Sequence, residues 1–548
     1  MNTRVARFLS AIAVAAILCA CTKTAQTGGG GGAPAPKTHY LRFSDGSGDL
    51  ASLNPHLNTE TTLGYITDMT QAYLVKYDEH NNPYPELVTE VPTLANGGIS
   101  KDGDTITWHI RKGVRWSDGA PFDADDVVFS TSVVNNPANN EVGRDGWNLI
   151  TKVDEPDKYT VVYHLKHPYA SYEPTFFGTA GANPSVLPKH ILGNLPNINT
   201  APYNSKPVGI GPFRIVAWKR GESVELEANP YYFRGLPKLK RVSMRLIPSR
   251  DTLVTLLQTK DIDMWPEVPA RFISRVKEIT AYQSDITVTP FYSHLDFNVT
   301  RPIVSDIRVR QAIRLAIDRQ ALMNKVIAGY GLIQESTISP VLPIAPTLDE
   351  IPLVAPDVDK AKQLLDEAGW KVGSDGVRVK GGQRLSLTLP YYVGSSAADD
   401  TVEFIRASLK NVGVELQTRQ YSVANYFASY QQNGIVYGGK WDMTFFAWQT
   451  DPVGEISNLW ECNQIPPDGQ NVTHFCNKQL DDLLEKFKNT YDPVQHKQIL
   501  AQEEKIITDN VPTIVLYIWK ASNTYNKNLT GWHPGAWTPF DDMMNVDI

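Results

Sequence analysis

In the stretch KWDMTFFAWQTDPVGEISNLW (Lys440 to Trp460), a strand-like apolar and aromatic run delivers one carboxylate, Asp451, three residues after Trp448 and directly before Pro452. An acidic group at the mouth of a packed core is suited to holding an opposite charge, because a buried charge without a partner is costly. The plainer alternative is that Asp451 caps the following segment, with Pro452 at its first helical position. Other chemistry is sparse. There is no Gly-x-Ser-x-Gly elbow, no phosphate loop and no His-Glu-x-x-His. The glycines of GIGPFR (Gly209 and Gly211) lack the third glycine and the acidic partner of a dinucleotide site. His164 and His167 stand at odd spacing in a strand-like run and point to opposite faces, so neither a metal nor a cofactor is expected. A surface-anchored hydrolase would need two close carboxylates or a nucleophile with a base, and no local arrangement supplies either.

The cysteines and the N-terminus give the compartment. Arg4 and Arg7 precede an apolar run, Phe8 to Ala20, which has the layout of a secretory signal over residues 1–20 and is too short to span a bilayer. Its ending, Leu18-Cys19-Ala20-Cys21, resembles the bacterial lipobox, so Cys21 is expected to be the lipidated mature N-terminus; an unlipidated signal cleaved nearby is the alternative. Residues 21–37 have almost nothing to bury and read as a flexible tether. Cys462 and Cys476 then remain as an even pair around a Pro/Gly-rich polar loop, and an oxidising compartment favours a disulfide worth about 3 kcal/mol. A zinc site would want more ligands than His474.

The elements that must position these residues read as mixed. At 548 residues the chain exceeds what one core supports, so two or three lobes are expected. With 42% hydrophobic and 20% charged residues it is an ordinary globular composition, and a net charge of −7 without a basic stripe argues against nucleic acid as a partner. Strand-like runs cover Thr105 to Ile110, Tyr159 to Leu165, Ser223 to Glu227, Leu385 to Leu389 and Asp442 to Phe446. Between them, Asp123, Asp306 and Asp357 stand where N-caps belong, and Gly369 stops the last of these helices. The class is α/β, with sheets covered by helices.

GDTITWHIRKGVRWSDGAPFDADDVVFS (Gly103 to Ser130) resembles the signature of the family 5 extracytoplasmic solute-binding proteins, the cluster C group of oligopeptide, dipeptide and nickel type. LASLNPHLN, VLPKHIL, PVGIGPFRIVAWKRGESVELEANPYYF, RPIVSDIRVRQAIRLAIDR and DVDKAKQLLDEAGW resemble further family segments in the same order, from about Tyr40 to the C-terminus. Most of these motifs are structural: Trp108, Trp116, Phe122 and Phe213 are expected in the core, and Gly113 at positive φ. The resemblance implies a periplasmic-binding-protein-like type II fold, two main lobes joined by a hinge plus an extra subdomain. Lobe Ia would comprise residues 38–56, 205–294 and 521–548, lobe Ib 57–204, and lobe II 295–520. The chain would cross between lobes at Phe291 to Thr300 and at Ile514 to Asn523.

The same resemblance implies a monomeric, non-enzymatic protein that captures short peptides between closing lobes and delivers them to the transmembrane subunits of an ABC importer. Oligosaccharide, a metal chelate or another small solute is the alternative ligand. In peptide-binding members, the segment that AWQTDP resembles carries an Asp that pairs with the ligand's α-ammonium group, which makes Asp451 the counter-charge here. Tyr65, Tyr292, Trp441 and Trp448 are expected to wall side-chain pockets, while backbone groups at Ser44, Asp45, Gly46 and Gly439 would pair with an extended peptide. The N-terminal expectation is checked by intact-mass analysis of membrane-extracted protein, which should show a diacylglyceryl adduct on a chain beginning at Cys21.

Overall fold

Three aspartates open helices as the sequence leads one to expect. The Asp123 side chain accepts from the Asp125 amide at 3.2 Å and, with Asp126, closes a capping box on helix Ala124–Asn135. Asp306 accepts from Arg308 N at 3.0 Å and Asp357 from Lys360 N at 2.8 Å, starting helices Ile307–Ala316 and Val358–Glu367. Each such cap contributes about 1 kcal/mol. Gly369 follows the last of them at φ +88°, a conformation that stops the helix at little cost only in glycine.

The structure is a computed structural model and describes residues 37–141, 143–144, 146–178, 184–393 and 395–548. The expected signal, Cys21 and all of the tether except Lys37 lie outside the described residues. His39–Ile548 forms one compact unit, and no helix among the described residues is long and apolar enough to cross a membrane.

A nine-stranded mixed sheet runs through this unit. Its strands in chain order are β1 (Tyr40–Phe43), β2 (Phe213–Lys219), β3 (Ser223–Ala228), β4 (Arg241–Arg245), β5 (Met264–Trp265), β6 (Tyr282–Phe297), β7 (Gly331–Leu332), β8 (Met443–Gln449) and β9 (Thr513–Asn526). The spatial order is β8-β6-β9-β5-β1-β4-β3-β2, with β7 on β9. β1 lies parallel to β4 and β5, whereas β6 is antiparallel to both β8 and β9. β6 and β9 are long enough to serve both ends of the sheet, and the boundaries expected at 294/295 and 520/521 fall inside them.

Three main hydrophobic cores hang on this frame. The first gathers Leu41, Phe43, Phe213, Val242 and Met264 with the C-terminal Phe540 and Val546. The second packs Trp108, Trp116, Phe122, Val161 and Phe176 around a three-stranded antiparallel sheet, Thr105–His109, Thr160–Leu165 and Ile150–Asp157. The third joins Leu295, Ile313, Leu365, Leu387, Val402 and Leu516. Trp108, Trp116, Phe122 and Phe213 are thus all interior, and Gly113 has φ +78°. Helix Thr61–Thr70 differs from the sequence reading: Leu63, Tyr65, Ile66 and Met69 pack in the first core, although 57–204 was assigned to the extra subdomain. Its buried face matches the β1 side of the sheet, and adjacency in sequence did not decide which core received it.

Arg310 ties the third core together. It is 5% exposed and donates to the carbonyls of Val304 and Asn510 at 2.7 Å each and of Val511 at 3.0 Å, joining helix Ile307–Ala316 to the end of helix Pro493–Asn510. Burial pushes its guanidinium down to about 10, so it stays charged at neutral pH. Arg310→Met would leave these carbonyls unpaired; chemical denaturation should show a loss of about 3 kcal/mol.

Candidate functional site

The site is built where β6 and β8 end against each other. Their antiparallel register sets Tyr292 opposite Trp448 and His294 opposite Phe446. Trp448 lies parallel to the His294 ring at 6.4 Å and meets Phe446 edge-on at 5.1 Å, so the indole is held in one orientation. Beyond Gln449 the chain is pinned at Thr450, whose amide donates to Pro290 O at 2.9 Å and whose hydroxyl accepts from Ser339 N at 2.9 Å.

Asp451 comes next. One of its carboxylate oxygens accepts from Val453 N at 2.9 Å and from Glu455 N at 3.2 Å, and its carbonyl accepts from Gly454 N at 3.0 Å. Gly454 has φ +80°, and a Cβ there would lie 3.1 Å from Leu500, so the turn requires glycine. Helix Ser457–Trp460 starts only afterwards, with Ile456 at its N-cap. Asp451 therefore closes a turn and does not cap a helix.

This turn forms one wall of a cavity of about 740 Å³. Tyr292, Trp448, Asp451 and Glu455 stand on one side, and Trp147 and Tyr169, from the second core, on the other. Volumes of this order suit a small ligand. The disulfide-bridged loop between Cys462 and Cys476 contributes Gln464 and Gln470 to the lining. The two sides touch at the rim: Ala170 N donates to Lys488 O at 2.8 Å, the Tyr491 hydroxyl donates to Gly103 O at 2.8 Å and accepts from Tyr169 N at 3.0 Å, and Asn81 Nδ2 donates to Pro452 O at 3.1 Å.

The charges in this wall are unevenly matched. Lys488 Nζ lies 2.6 Å from Glu461 and 3.0 Å from Glu485. No cationic side chain among the described residues pairs with Asp451. Desolvation first, and then the neighbouring Glu455, push its carboxyl up to about 7, while the backbone amides of the turn hold it down only in part. Burial also raises Glu455.

The residues expected at the site are divided by the fold. Asp451, Trp448 and Tyr292 line the cavity together. Tyr65 does not: it is 2% exposed, packed among Phe43 and Phe540 in the first core. Trp441 is interior, packed with Tyr426, Val436 and Phe446, its indole N–H donating to the carbonyls of Ile435 and Val436. Ser44, Asp45 and Gly46 form a turn away from the cavity, with Asp45 accepting from Ser47 N at 2.9 Å and Thr62 Oγ1 at 2.6 Å. Gly439 uses both backbone groups internally, its N–H to Val436 O and its carbonyl to Asn298 Nδ2 at 2.7 Å. Sequence reasoning missed Glu455, Trp147, Tyr169, Glu461 and Lys488. Glu455 alone carried a signal, standing four residues after Asp451.

Comparison with known proteins follows this geometry. The family of bacterial extracellular solute-binding proteins, family 5 Middle, matches residues 82–465. The oligopeptide-binding protein AppA of Bacillus subtilis is 28% identical over 505 residues, 91% of this chain and 89% of AppA. Its structure with a nonapeptide superposes with a TM-score of 0.76 at 25% identity, covering 92% of this chain and 98% of that one. The glutathione-binding protein GsiB of Salmonella paratyphi A is 28% identical over 462 residues, 82% of this chain and 85% of GsiB. The fold is also that of NikZ from Campylobacter jejuni, solved with Ni(L-His), at a TM-score of 0.77 and 24% identity over 94% of this chain and all of that one.

The raised Asp451 carboxyl has a measurable consequence without ligand. Its folded value near 7 exceeds the unfolded value near 3.9, so the fold favours the protonated form and loses stability as pH rises between those two values. Asp451→Asn removes this titration. Thermal unfolding should show the variant gaining on the wild type from about pH 4 to pH 7, with a constant advantage above.

Proposed function

Because the chain belongs to the bacterial extracellular solute-binding proteins of family 5, we propose that it captures short peptides in the 740 Å³ cavity, with Asp451 receiving the α-ammonium group. Members of this family are extracytoplasmic transport binding proteins and not enzymes, and they serve ABC importers through a permease. Peptide as the ligand is the reading supported by the names of the oligopeptide- and glutathione-binding relatives and, above all, by one observation. The wall of the cavity holds a carboxylate that has backbone donors but no cation. An ammonium group entering there supplies the missing charge, and the partly enclosed wall reduces the competition from water. Tyr292 and Trp448 then offer flat apolar surface to the first side chain.

The rest of the proposal concerns placement. The protein is a monomer tethered to a bacterial membrane by lipid on Cys21, and residues 21–37 allow the binding body to reach the permease.

A charge-assisted bond of this kind contributes about 1.5–3 kcal/mol, so Asp451→Asn should weaken tripeptide binding by about ten- to a hundredfold in calorimetry. N-acetylation of the peptide should cause a similar loss in the wild type and little further loss in the variant, since both changes delete one interaction. Equal binding of free and acetylated peptide would overturn the ammonium role, and no binding of either would overturn the peptide ligand.

A further inference from the structure

Apart from Asp451, three carboxylate or ammonium groups line the cavity among the described residues: Glu455, Glu461 and Lys488. Glu461 and Lys488 satisfy each other at 2.6 Å, and Lys488 is engaged again by Glu485. His167, exposed, gives its Nδ1 to the Pro168 carbonyl at 2.9 Å. Asp451 and Glu455 are left as two carboxylates without an ion pair, Lys488 acting on Glu455 only at longer range while it pairs with Glu461 and Glu485, and they belong to one turn: Glu455 N donates to Asp451 at 3.2 Å, and the Glu455 side chain accepts from Ser457 N at 2.7 Å.

Behind this turn a third acid denies Glu455 any help. Glu503, on helix Pro493–Asn510, is fully buried, and neither of its carboxylate oxygens has a hydrogen-bond partner. Burial first and then the charges of Glu455 and Glu504 raise its carboxyl, and in neither protonation state does an acid give Glu455 a counter-charge. The opposite wall, through Trp147 and Tyr169, brings aromatic surface and, among the described residues, no lysine or arginine; His167 is the one basic side chain there. A ligand with a single ammonium can match only one of the two acids in the turn. The other must then stay protonated or stand as an uncompensated charge.

Resting on the peptide reading above, we propose that the cavity selects peptides whose first residue is basic, with the α-ammonium at Asp451 and the side-chain cation at Glu455. Both cations come from one residue, just as both carboxylates come from one turn. The aliphatic stem of such a side chain lies against Trp448, whose ring face is itself attractive to a cation. The raised carboxyl of Glu455 agrees with a group that awaits a cation.

Calorimetry at pH 7.5 with Ala-Ala-Ala, Lys-Ala-Ala and Glu-Ala-Ala tests this. Lys-Ala-Ala should bind at least ~10-fold more tightly than Ala-Ala-Ala, and Glu-Ala-Ala more weakly than either. In Glu455→Gln the ratio of the lysine to the alanine peptide should fall towards one. A second comparison needs no variant: an N-terminal arginine peptide should bind the wild type more tightly than its neutral isostere with citrulline. If Ala-Ala-Ala binds through its free amine but the basic peptides gain nothing, the charge preference falls while the peptide reading stands. If the preference survives in Glu455→Gln, Glu455 is not its source. If none of the peptides binds, both readings fall.

Discussion

The molecule depends on the antiparallel pairing of β6 with β9. These two strands, Tyr282–Phe297 and Thr513–Asn526, are paired from Tyr282↔Asn526 to Asp296↔Thr513 and connect the first core to the third. The ladder is interrupted twice, and the larger interruption lies in its middle: Val288 faces Lys520 and Tyr292 faces Ile518, so three residues of β6 stand against one of β9. Pro290 lies in that interval and has no N–H to give to a ladder. The freed groups are used elsewhere. The Thr289 carbonyl accepts from Ser339 Oγ at 2.7 Å, and the Pro290 carbonyl accepts from Thr450 N at 2.9 Å. An irregularity in one strand thus anchors the segment that carries Asp451 and turns Tyr292 into the cavity.

Charge inside this protein is of two kinds, and the contrast marks the site. Lys76 is 1% exposed, yet its Nζ lies 2.6 Å from Asp541 and 3.4 Å from Glu86, while the Tyr84 hydroxyl donates to Asp541 at 2.6 Å. That group joins the second core to the C-terminal segment through a lysine shared between two carboxylates. Asp451 and Glu455 are only partly covered by the fold and make no ion pair. Unlike Lys76 and Asp541, these two present their charge to a cavity that the chain leaves open to a ligand.

The rim bonds give the cavity its enclosure. Tyr491, between helices Lys478–Lys488 and Pro493–Asn510, reaches the second core with a hydroxyl that both donates and accepts. Gly103 has to be glycine for this contact, since a Cβ there would lie 2.9 Å from the Tyr491 ring at φ +78°. The wall between Cys462 and Cys476 is fixed both by the disulfide and by Asn471, whose Nδ2 donates to Glu461 O at 3.1 Å and Phe475 O at 2.8 Å. Partial enclosure makes each charge in the wall count for more, because bulk water screens it less.

What the sequence determined by itself was whatever depends on neighbours in the chain. Capping aspartates at 123, 306 and 357, the positive-φ glycines 113 and 369, the interior tryptophans 108 and 116, and the pairing of Cys462 with Cys476 all follow from local stereochemistry, apolar patterning and compartment. The resemblance of ordered motifs added the family. Which aromatics reach the cavity was not legible, because Trp441 and Trp448 lie on the same stretch and only tertiary contacts separate them: Trp441 packs under Tyr426 and Val436, while the register of β8 on β6 brings Trp448 to the wall. Tyr65 was misplaced for a related reason: its helix buries that face against β1, a contact between segments with no shared local signal. Lys488, Trp147 and Tyr169 come to Asp451 from positions far along the chain, so their convergence belongs to tertiary structure alone. Local rules decide which element each residue enters; only packing decides which charges end up facing each other without water between them.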